Sequence, residues 1–168
     1  MSVLDLFRLD QKVAVVTGGG RGLGFAMAAA LSQAGAKIVI AELDPDTGEM
    51  AAGKIRDSGG HALPVQTDVA DLASVGWMVD SVKKEFGRID ILINNAGVLY
   101  KPAEPGGSAS IPTEAIDPEN WDRVIKVNLS GVFYCTQKVG TLMLEQGSGS
   151  IVNIASMSAY VGNLGRYN

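Results

Sequence analysis

Five short apolar runs recur along the chain, and each is separated from the next by a segment that favours a helix. The apolar residues within each run are largely consecutive rather than alternating, a pattern typical of strands that are buried on both faces. Strands that alternate with helices predict an α/β fold, a doubly wound parallel sheet with helices on both faces. The predicted strands are residues 12–16, 37–41, 61–67, 89–93 and 150–154.

The segments between these runs carry helix start and stop signals. The predicted helices cover residues 25–31, 46–57, 72–86 and 118 to about 145. Gly35 ends the first of them, Asp71 is placed to cap the third, and Pro118 suits the first position of the fourth. The buried side of the third helix is assigned to Trp77, Val79, Val82 and Phe86.

A glycine-rich turn joins the first predicted strand to the first predicted helix. Glycine allows positive φ angles and lets a ligand approach the backbone without meeting a Cβ atom. The free N–H groups and the dipole of the helix that follows then favour a bound pyrophosphate. The spacing of Gly18, Gly22 and Gly24 differs from the G-x-G-x-x-G fingerprint, and the Gly-Lys-Ser/Thr ending of a P-loop is absent. The turn therefore predicts an anion site and argues against a nucleoside triphosphatase.

Polar residues follow the other predicted strands at the point where each strand ends. Glu42 follows the second strand, Asp68 the third and residues 94–97 the fourth. The carboxyl ends of parallel strands lie at one edge of the sheet, and ligands of such sheets bind there. We therefore expect these residues and the glycine turn to line one site.

Glu42 is the candidate ribose-binding residue, because an acidic residue about 20 positions past the glycines takes the ribose hydroxyls in nucleotide-binding βαβ units. A carboxylate accepts hydrogen bonds from a free 2′-hydroxyl and repels a 2′-phosphate, so Glu42 favours NAD over NADP. Arg21 argues the other way, since its guanidinium can pair with that phosphate. Asp44 is an alternative to Glu42, although its position suits the start of the next helix.

Composition narrows the class of protein. With 168 residues, 46% of them hydrophobic and 19% charged, the chain has the size and composition of a single globular domain. The net charge is −4 and no cluster of basic residues occurs, so we expect neither nucleic acid nor a membrane as a partner. Charged residues among the first twelve argue against a signal peptide, and no apolar run approaches the roughly 18 residues of a membrane span.

The counts of cysteine and histidine exclude further classes. Cys135 is the single cysteine, so no disulfide can form within the chain, and we expect a cytoplasmic location. His61 is the single histidine and opens a predicted strand, and the sequence lacks a Gly-x-Ser-x-Gly elbow, which argues against a serine hydrolase. With one histidine and one cysteine, we expect no metal site.

Five motifs together resemble the N-terminal part of a short-chain dehydrogenase/reductase. They are Thr17-Gly18-x-x-x-Gly22-x-Gly24, Asp68-Val69, Asn94-Asn95-Ala96-Gly97, Val127-Asn128-Leu129 and Ile154-Ala155-Ser156-Met157-Ser158. The resemblance implies a Rossmann-type fold that binds NAD or NADP, hydride transfer between the nicotinamide and an alcohol or ketone, and a homodimer or homotetramer. The cofactor-binding residues it implies, together with the strand-end argument, are Gly18, Arg21, Gly22, Leu23, Gly24, Glu42, Asp68, Val69, Asn95, Ala96 and Gly97.

The catalytic residues match the family only in part. The resemblance implies that Ser156 holds the substrate oxygen and that Asn128 supports a proton-relay water. The family also uses a Tyr-x-x-x-Lys pair, in which the tyrosine is the general base.

That pair is not at the position where the family has it. Tyr134 and Lys138 have the spacing but precede Ser156, so we interpret the match as a coincidence and Tyr134 as a packing or interface residue. Tyr160 follows Ser156 too closely, and Tyr167 follows it by 11 residues, a gap shorter than the family's, which makes Tyr167 a weak candidate for the base. We therefore expect that the natural chain continues past Asn168 and supplies the tyrosine, the lysine and the remaining strands. On this view the sheet is incomplete at this end, and the 168 residues alone lack efficient catalysis.

The substrate is less constrained than the cofactor. The segment 100–117 has no clear periodicity and is expected to border the substrate pocket. Family members with similar openings often act on sugars, polyols or sugar acids. The alternative function is a nucleotide-binding regulatory or structural protein without catalysis, which the missing Tyr-x-x-x-Lys pair favours.

Overall fold

The described residues, 3–100, 114 and 116–156 of the computed structural model, form a five-stranded parallel sheet in the order β3-β2-β1-β4-β5. The strands are β1 Val13–Thr17, β2 Lys37–Glu42, β3 Ala62–Gln66, β4 Ile91–Asn94 and β5 Ser150–Asn153. All five strands lie within the predicted apolar runs or end one residue beyond them. Strand order reverses between β1 and β4, as it does in Rossmann-type sheets, so the predicted doubly wound fold is confirmed.

Helices cover both faces of this sheet. They are α1 Gly22–Gln33, α2 Pro45–Asp57, α3 Leu72–Phe86, α4 Pro118–Ile125 and α5 Gly131–Gln146, with a 3₁₀ turn at Val3–Phe7. One apolar cluster packs α1 and α2 against the sheet, and a second packs α3 and α5 against the opposite face. Alternate residues of β1 belong to the two clusters, for example Val15 to one and Val16 to the other. Consecutive apolar residues are therefore needed in this strand.

Local signals set most of the helix ends. Asp44, Asp71 and Asp117 cap α2, α3 and α4, and each side chain accepts a backbone N–H of the first turn. Gly87 and Gly147 end α3 and α5 in the left-handed conformation that glycine tolerates. The predicted roles of Asp71 and Pro118 at helix starts are confirmed.

The assignment of Trp77 to the core was wrong. The buried residues of α3 are Val75, Met78, Val79 and Val82, a stripe with the spacing of one helix face. Trp77 is two residues from Val75, about 200° around the helix, and its side chain is 69% exposed. The aromatic residue suggested burial, but the helical period decides the face.

The last predicted helix is interrupted. A π-helical turn, Lys126–Ser130, separates α4 from α5 and contains Asn128. Such turns occur mostly as single insertions in α-helices and are frequent at functional sites. Most of the expected pocket-bordering segment 100–117 lies outside the described residues. In the part of the chain that the structure describes, no helix is long and apolar enough to span a bilayer.

Candidate functional site

A cleft of about 280 Å³ lies where the carboxyl ends of β1 to β4 meet. Every residue predicted to bind a cofactor lines this cleft except Gly22, which lies between the lining residues Arg21 and Leu23. The sequence therefore located the cleft from separate motifs. It missed five further lining residues, each adjacent in the chain to a predicted site residue: Ala41, Leu43, Thr67, Val98 and Val127.

Two glycines of the turn are required by close backbone contacts. Gly18 has a φ of +62°, and an added Cβ would lie 3.0 Å from the Cα atom of Ala96. At Gly24 an added Cβ would run into the carbonyl oxygen of Gly18 and the side-chain amide of Asn95. A side chain at either position would push the turn away from the end of β4 and disrupt the cleft.

Thr17 and Asn95 tie the glycine turn to the end of β4. Oγ1 of Thr17 accepts the backbone N–H groups of Asn95 and Ala96, each at 3.0 Å. Nδ2 of Asn95 donates to the carbonyl oxygens of Thr17 at 3.0 Å and Gly18 at 3.1 Å. These bonds join segments almost 80 residues apart in the chain. Asn95 thus shapes the cleft by fixing the turn, a role that its place in the motif did not reveal.

Glu42 lies at the end of β2 with both carboxylate oxygens engaged by backbone N–H groups. Oε2 accepts the N–H of Gly20 at 3.0 Å, and Oε1 accepts the N–H of Leu43 at 2.9 Å. An ionised carboxylate has about four acceptor positions, so roughly half of its capacity remains. Glu42 lines the cleft, and it therefore has the chemistry to accept hydrogen bonds from a ligand diol.

Arg21 lines the same cleft, and Asp44 supplies a negative charge near it. Asp44 is confirmed as the residue that starts α2, since its Oδ1 accepts the N–H of Asp46 at 3.1 Å. The hydrogen bond from Thr47 is the main cause that holds the pKa of Asp44 below its ordinary value, and the charge of Arg21 contributes. Arg21 therefore acts on Asp44 through its charge alone.

The loop after β3 forms a further wall of the cleft. Oδ1 of Asp68 accepts the N–H of Ala70, and the N–H of Asp68 donates to Oγ of Ser74, both at 2.9 Å. Val69 packs closely under the start of α5, because an added Cβ at Gly131 would lie 2.9 Å from Cγ2 of Val69. This contact brings the π-helical turn beside the loop, so that Val69 and Val127 line the same cleft.

Asn94 links β4 to α5 and β5. Its Nδ2 donates to Oγ1 of Thr136 at 3.1 Å and to Oδ1 of Asn153 at 2.9 Å, and Asn94 itself is buried. The N–H of Ile154 donates to the carbonyl oxygen of Asn94 at 2.9 Å. The network fixes the carboxyl end of β5, and Ser156 follows three residues after Asn153. Ser156 is exposed and does not line the cleft formed by the described residues, and its catalytic role stays a prediction.

The side chain of Asn128 clamps the backbone of Val98. Its Oδ1 accepts the N–H of Val98 at 2.8 Å, and its Nδ2 donates to the carbonyl oxygen of Val98 at 2.9 Å. The amide is therefore a positioning group for a residue that lines the cleft. The relay role that the resemblance implied for Asn128 stays a prediction.

Two side chains of α5 do not line the cleft that the described residues form. Tyr134 is half-buried and packs against the core, as its interpretation as a packing residue required. Cys135 is fully buried, and burial raises the pKa of its thiol to about 12, so it is a poor nucleophile. Among the described residues no three His, Cys, Asp or Glu side chains are placed to hold a metal ion.

The expectations about the end of the chain are not tested by the structure. Tyr167, the weak candidate for the base, and Asn168 both lie outside the described residues. The tyrosine and lysine expected beyond Asn168 therefore stay a prediction, as does the continuation of the sheet.

The cleft has the features that a dinucleotide requires. The described helices α2, α3 and α4 each start with an aspartate cap, whereas Arg21 makes no side-chain cap at the start of α1. The N–H groups of that first turn have no acceptor within the helix and suit a pyrophosphate. Gly22 has a φ of +55°, and no atom lies within 4 Å of an added Cβ, so the turn leaves open space there. The ribose-binding role of Glu42, which lines the same cleft, stays a prediction.

Comparison with known proteins identifies the family. Residues 12–167 match the family model described as short chain dehydrogenase. The chain is 43% identical over 155 residues to D-threitol dehydrogenase of Mycolicibacterium smegmatis, a match that covers 92% of this chain and 56% of that protein. The chain therefore belongs to the short-chain dehydrogenase family, and the resemblance inferred from the motifs is confirmed.

Solved structures agree with this assignment. A gluconate 5-dehydrogenase from Burkholderia cenocepacia in complex with NADP and tartrate superposes with a TM-score of 0.88 at 36% identity, covering 98% of this chain and 61% of that one. A NAD⁺-bound xylitol dehydrogenase superposes with a TM-score of 0.85 at 32% identity, covering 94% of this chain and 57% of that one. The family thus includes both NAD and NADP complexes, and this chain spans less than two thirds of the length of these relatives.

Proposed function

We propose that this chain binds NAD(H) in preference to NADP(H) and forms the cofactor-binding part of an oxidoreductase that acts on a secondary alcohol or ketone. The observation that carries the proposal is the convergence of the uncapped start of α1 with the carboxylate of Glu42 in one cleft. The bound nicotinamide supplies or accepts the hydride. The protein's own groups bind the dinucleotide, orient it and keep its two phosphates and ribose in place.

The choice of NAD rests on the charges around the ribose position. Glu42 retains acceptor capacity for ribose hydroxyls, and its negative charge opposes a 2′-phosphate. Arg21 is the group that would favour NADP, and we infer that the negative charge of Asp44 offsets part of its effect. The balance of these charges favours NAD.

The test is a titration of the purified chain with NADH and with NADPH, monitored by the quenching of tryptophan fluorescence. We expect NADH to bind about tenfold more tightly, the size of one charge-assisted hydrogen bond. In Glu42→Ala the two dissociation constants should converge, whereas Glu85→Ala, which removes an exposed glutamate outside the cleft, should change neither. Tighter binding of NADPH by the unmodified chain would refute the NAD preference.

Substrate class and assembly extend this proposal. The relatives named above are dehydrogenases of threitol, xylitol and gluconate, which supports a polyol, sugar or sugar acid as substrate.

A homodimer or homotetramer is favoured by the exposed apolar side chains of Trp121, Leu129 and Phe133 on the segment from α4 to α5. We also infer a cytoplasmic location, where Cys135 stays reduced. Light scattering of the purified chain checks the assembly.

Binding without turnover is the second candidate. It is favoured by the position of Tyr134, because the tyrosine with a lysine four residues later packs against the core rather than lining the cleft. We expect the chain of 168 residues to bind NADH but to oxidise a panel of secondary alcohols with NAD no faster than a Ser156→Ala variant. Robust turnover that Ser156→Ala abolishes would show that this chain carries a complete catalytic site.

A further inference from the structure

We propose that Gly20 is a specificity-determining position, at which the absence of a side chain holds the Glu42 carboxylate where it selects NAD over NADP. This inference rests on the proposed function of the cleft and deepens it. It assigns the selectivity to a packing arrangement between the glycine turn and α2, in addition to the charge of Glu42 itself.

A hydrogen bond joins Gly20 and Glu42. The backbone N–H of Gly20 donates to Oε2 of Glu42 at 3.0 Å, while the N–H of Leu43 donates to Oε1 at 2.9 Å. The two donors belong to different segments, the glycine turn and the end of β2. Together they fix the carboxylate plane, which a single donor would leave free to rotate. The remaining acceptor positions are therefore presented in one orientation.

Position 20 has no room for a side chain. An added Cβ at Gly20 would lie 2.7 Å from Cγ2 of Thr47 and 2.8 Å from Oε2 of Glu42. Both distances are shorter than normal carbon contacts, so one of the two side chains would have to move. Thr47 is restrained, because its hydroxyl donates to Oδ2 of Asp44 at 2.7 Å in the first turn of α2. The carboxylate of Glu42 borders the open cleft and is the group that would be displaced.

Helix α2 packs against the other side of Glu42. An added Cβ at Gly48 would lie 3.3 Å from Cβ of Glu42, a tight contact but not a severe clash. Glycines at positions 20 and 48 thus flank the same glutamate, one at the carboxylate and one at the stem. The rotamer of Glu42 depends on both, and we expect a larger effect from position 20.

The consequence is a shift in cofactor selectivity. A displaced carboxylate loses the Gly20 hydrogen bond and no longer meets the ribose diol in a fixed orientation. It also repels a 2′-phosphate less effectively, because electrostatic repulsion falls with distance. The ratio of the dissociation constants for NADPH and NADH is the correct readout, since a general loss of structure would weaken both complexes without changing their ratio.

The experiment compares three glycine-to-alanine variants of the full 168-residue chain. Gly20→Ala should lower the NADPH-to-NADH ratio of dissociation constants about tenfold, and Gly48→Ala about threefold. Gly76→Ala is the matched control, because it lies in α3, an added Cβ there meets no atom within 4 Å, and the ratio should stay unchanged. Circular dichroism establishes that each variant is folded before the titrations.

The outcomes separate this inference from the proposed function. If the unmodified chain binds neither NADH nor NADPH, the proposed function fails. If it binds NADH selectively and Gly20→Ala and Gly48→Ala keep the wild-type ratio, the proposed function stands and the inference is overturned. If Gly20→Ala does not fold, the ratio of dissociation constants measured for Gly48→Ala tests the inference. We expect Gly48→Ala to fold, because alanine is more favourable than glycine inside a helix.

Discussion

Two carboxylates at opposite ends of the sheet show how similar chemistry takes on different roles. Glu42 lies at the carboxyl ends of the strands, beside the cleft, and accepts two backbone N–H groups. Asp90 precedes β4 at the amino ends, where its side chain is only 5% exposed. One carboxylate keeps acceptor capacity for a ligand, and the other uses its capacity within the protein.

The Asp90 carboxylate is surrounded by donors. Arg88 donates through Nε to Oδ2 at 2.8 Å and through Nη2 to Oδ1 at 2.5 Å. The N–H of Val13 donates to Oδ2 at 3.0 Å, and Nζ of Lys12 donates to Oδ1 at 3.2 Å. Four donors match the four acceptor positions of a carboxylate. Asp90 therefore joins β1 to β4 and leaves nothing for a ligand.

The number of filled acceptor positions therefore distinguishes a buried structural carboxylate from a candidate binding carboxylate. By this criterion, removing Asp90 should cost stability and leave cofactor affinity unchanged. Removing the charge of Glu42 should do the opposite. The loss in the free energy of unfolding should be largest when Asp90 is changed.

Asp90→Asn should lower the free energy of unfolding by about 2 kcal/mol. Breaking a fully buried ion pair costs more, but Arg88 and Lys12 are each nearly half exposed and can return to water. Urea denaturation followed by circular dichroism measures the loss, and the NADH dissociation constant should stay within about twofold. A tenfold loss of NADH affinity in a folded Asp90→Asn variant would contradict the purely structural role of Asp90.

The Asp90 carboxylate makes the free energy of unfolding depend on pH in the acidic range. Burial raises the pKa of Asp90, but hydrogen bonds from Arg88, the Val13 N–H and Lys12 outweigh it and hold the pKa below its ordinary value. A depressed pKa stabilises the fold above the unfolded-state value near 4, and the contribution is lost as pH falls through the folded-state value. The stability difference between wild type and Asp90→Asn should therefore shrink below about pH 4 in urea titrations, and a constant difference would contradict this assignment.

Glu42→Gln should lower the free energy of unfolding by less than about 1 kcal/mol. The amide keeps one oxygen acceptor for a backbone N–H, and the side chain borders open space. Its NADH affinity should nevertheless fall about tenfold, since the charged acceptor for the ribose is lost. A loss of stability larger than that of Asp90→Asn would assign Glu42 a mainly structural role.

Asp10→Asn should give the smallest effect, with no measurable change in urea denaturation. Asp10 pairs with Arg8 at 2.6 Å, but both side chains are more than half exposed. Exposed pairs of this kind contribute little to stability. This variant is the baseline for the other two carboxylates, and a clear loss of stability here would undermine burial as the criterion that ranks them.

The sequence was sufficient for the five strands, for most helix ends and for most of the residues that line the cleft. Consecutive apolar residues predicted five strands, and glycine and aspartate signals predicted most helix ends, because these features depend on residues a few positions apart. The residues assigned to the cofactor converge because the carboxyl ends of parallel strands meet at one edge. Asp90 also carried a signal, a charged residue inside the apolar run 89–93, but the sequence could not supply its partners.

The tertiary structure decided how those residues work. Thr17 meets Asn95, Asn128 meets Val98, and the Gly20 N–H meets Glu42 only after β1, β2 and β4 pair in register. The π-helical turn at Asn128 likewise depends on how α4 and α5 pack. Hydrogen bonds between residues 22 to 79 positions apart produce no periodic pattern in the sequence, so they could not be predicted from it. The spacing of the motifs was enough to predict which residues line the cleft. The register of the strands and the packing of the helices determine which hydrogen bonds those residues form.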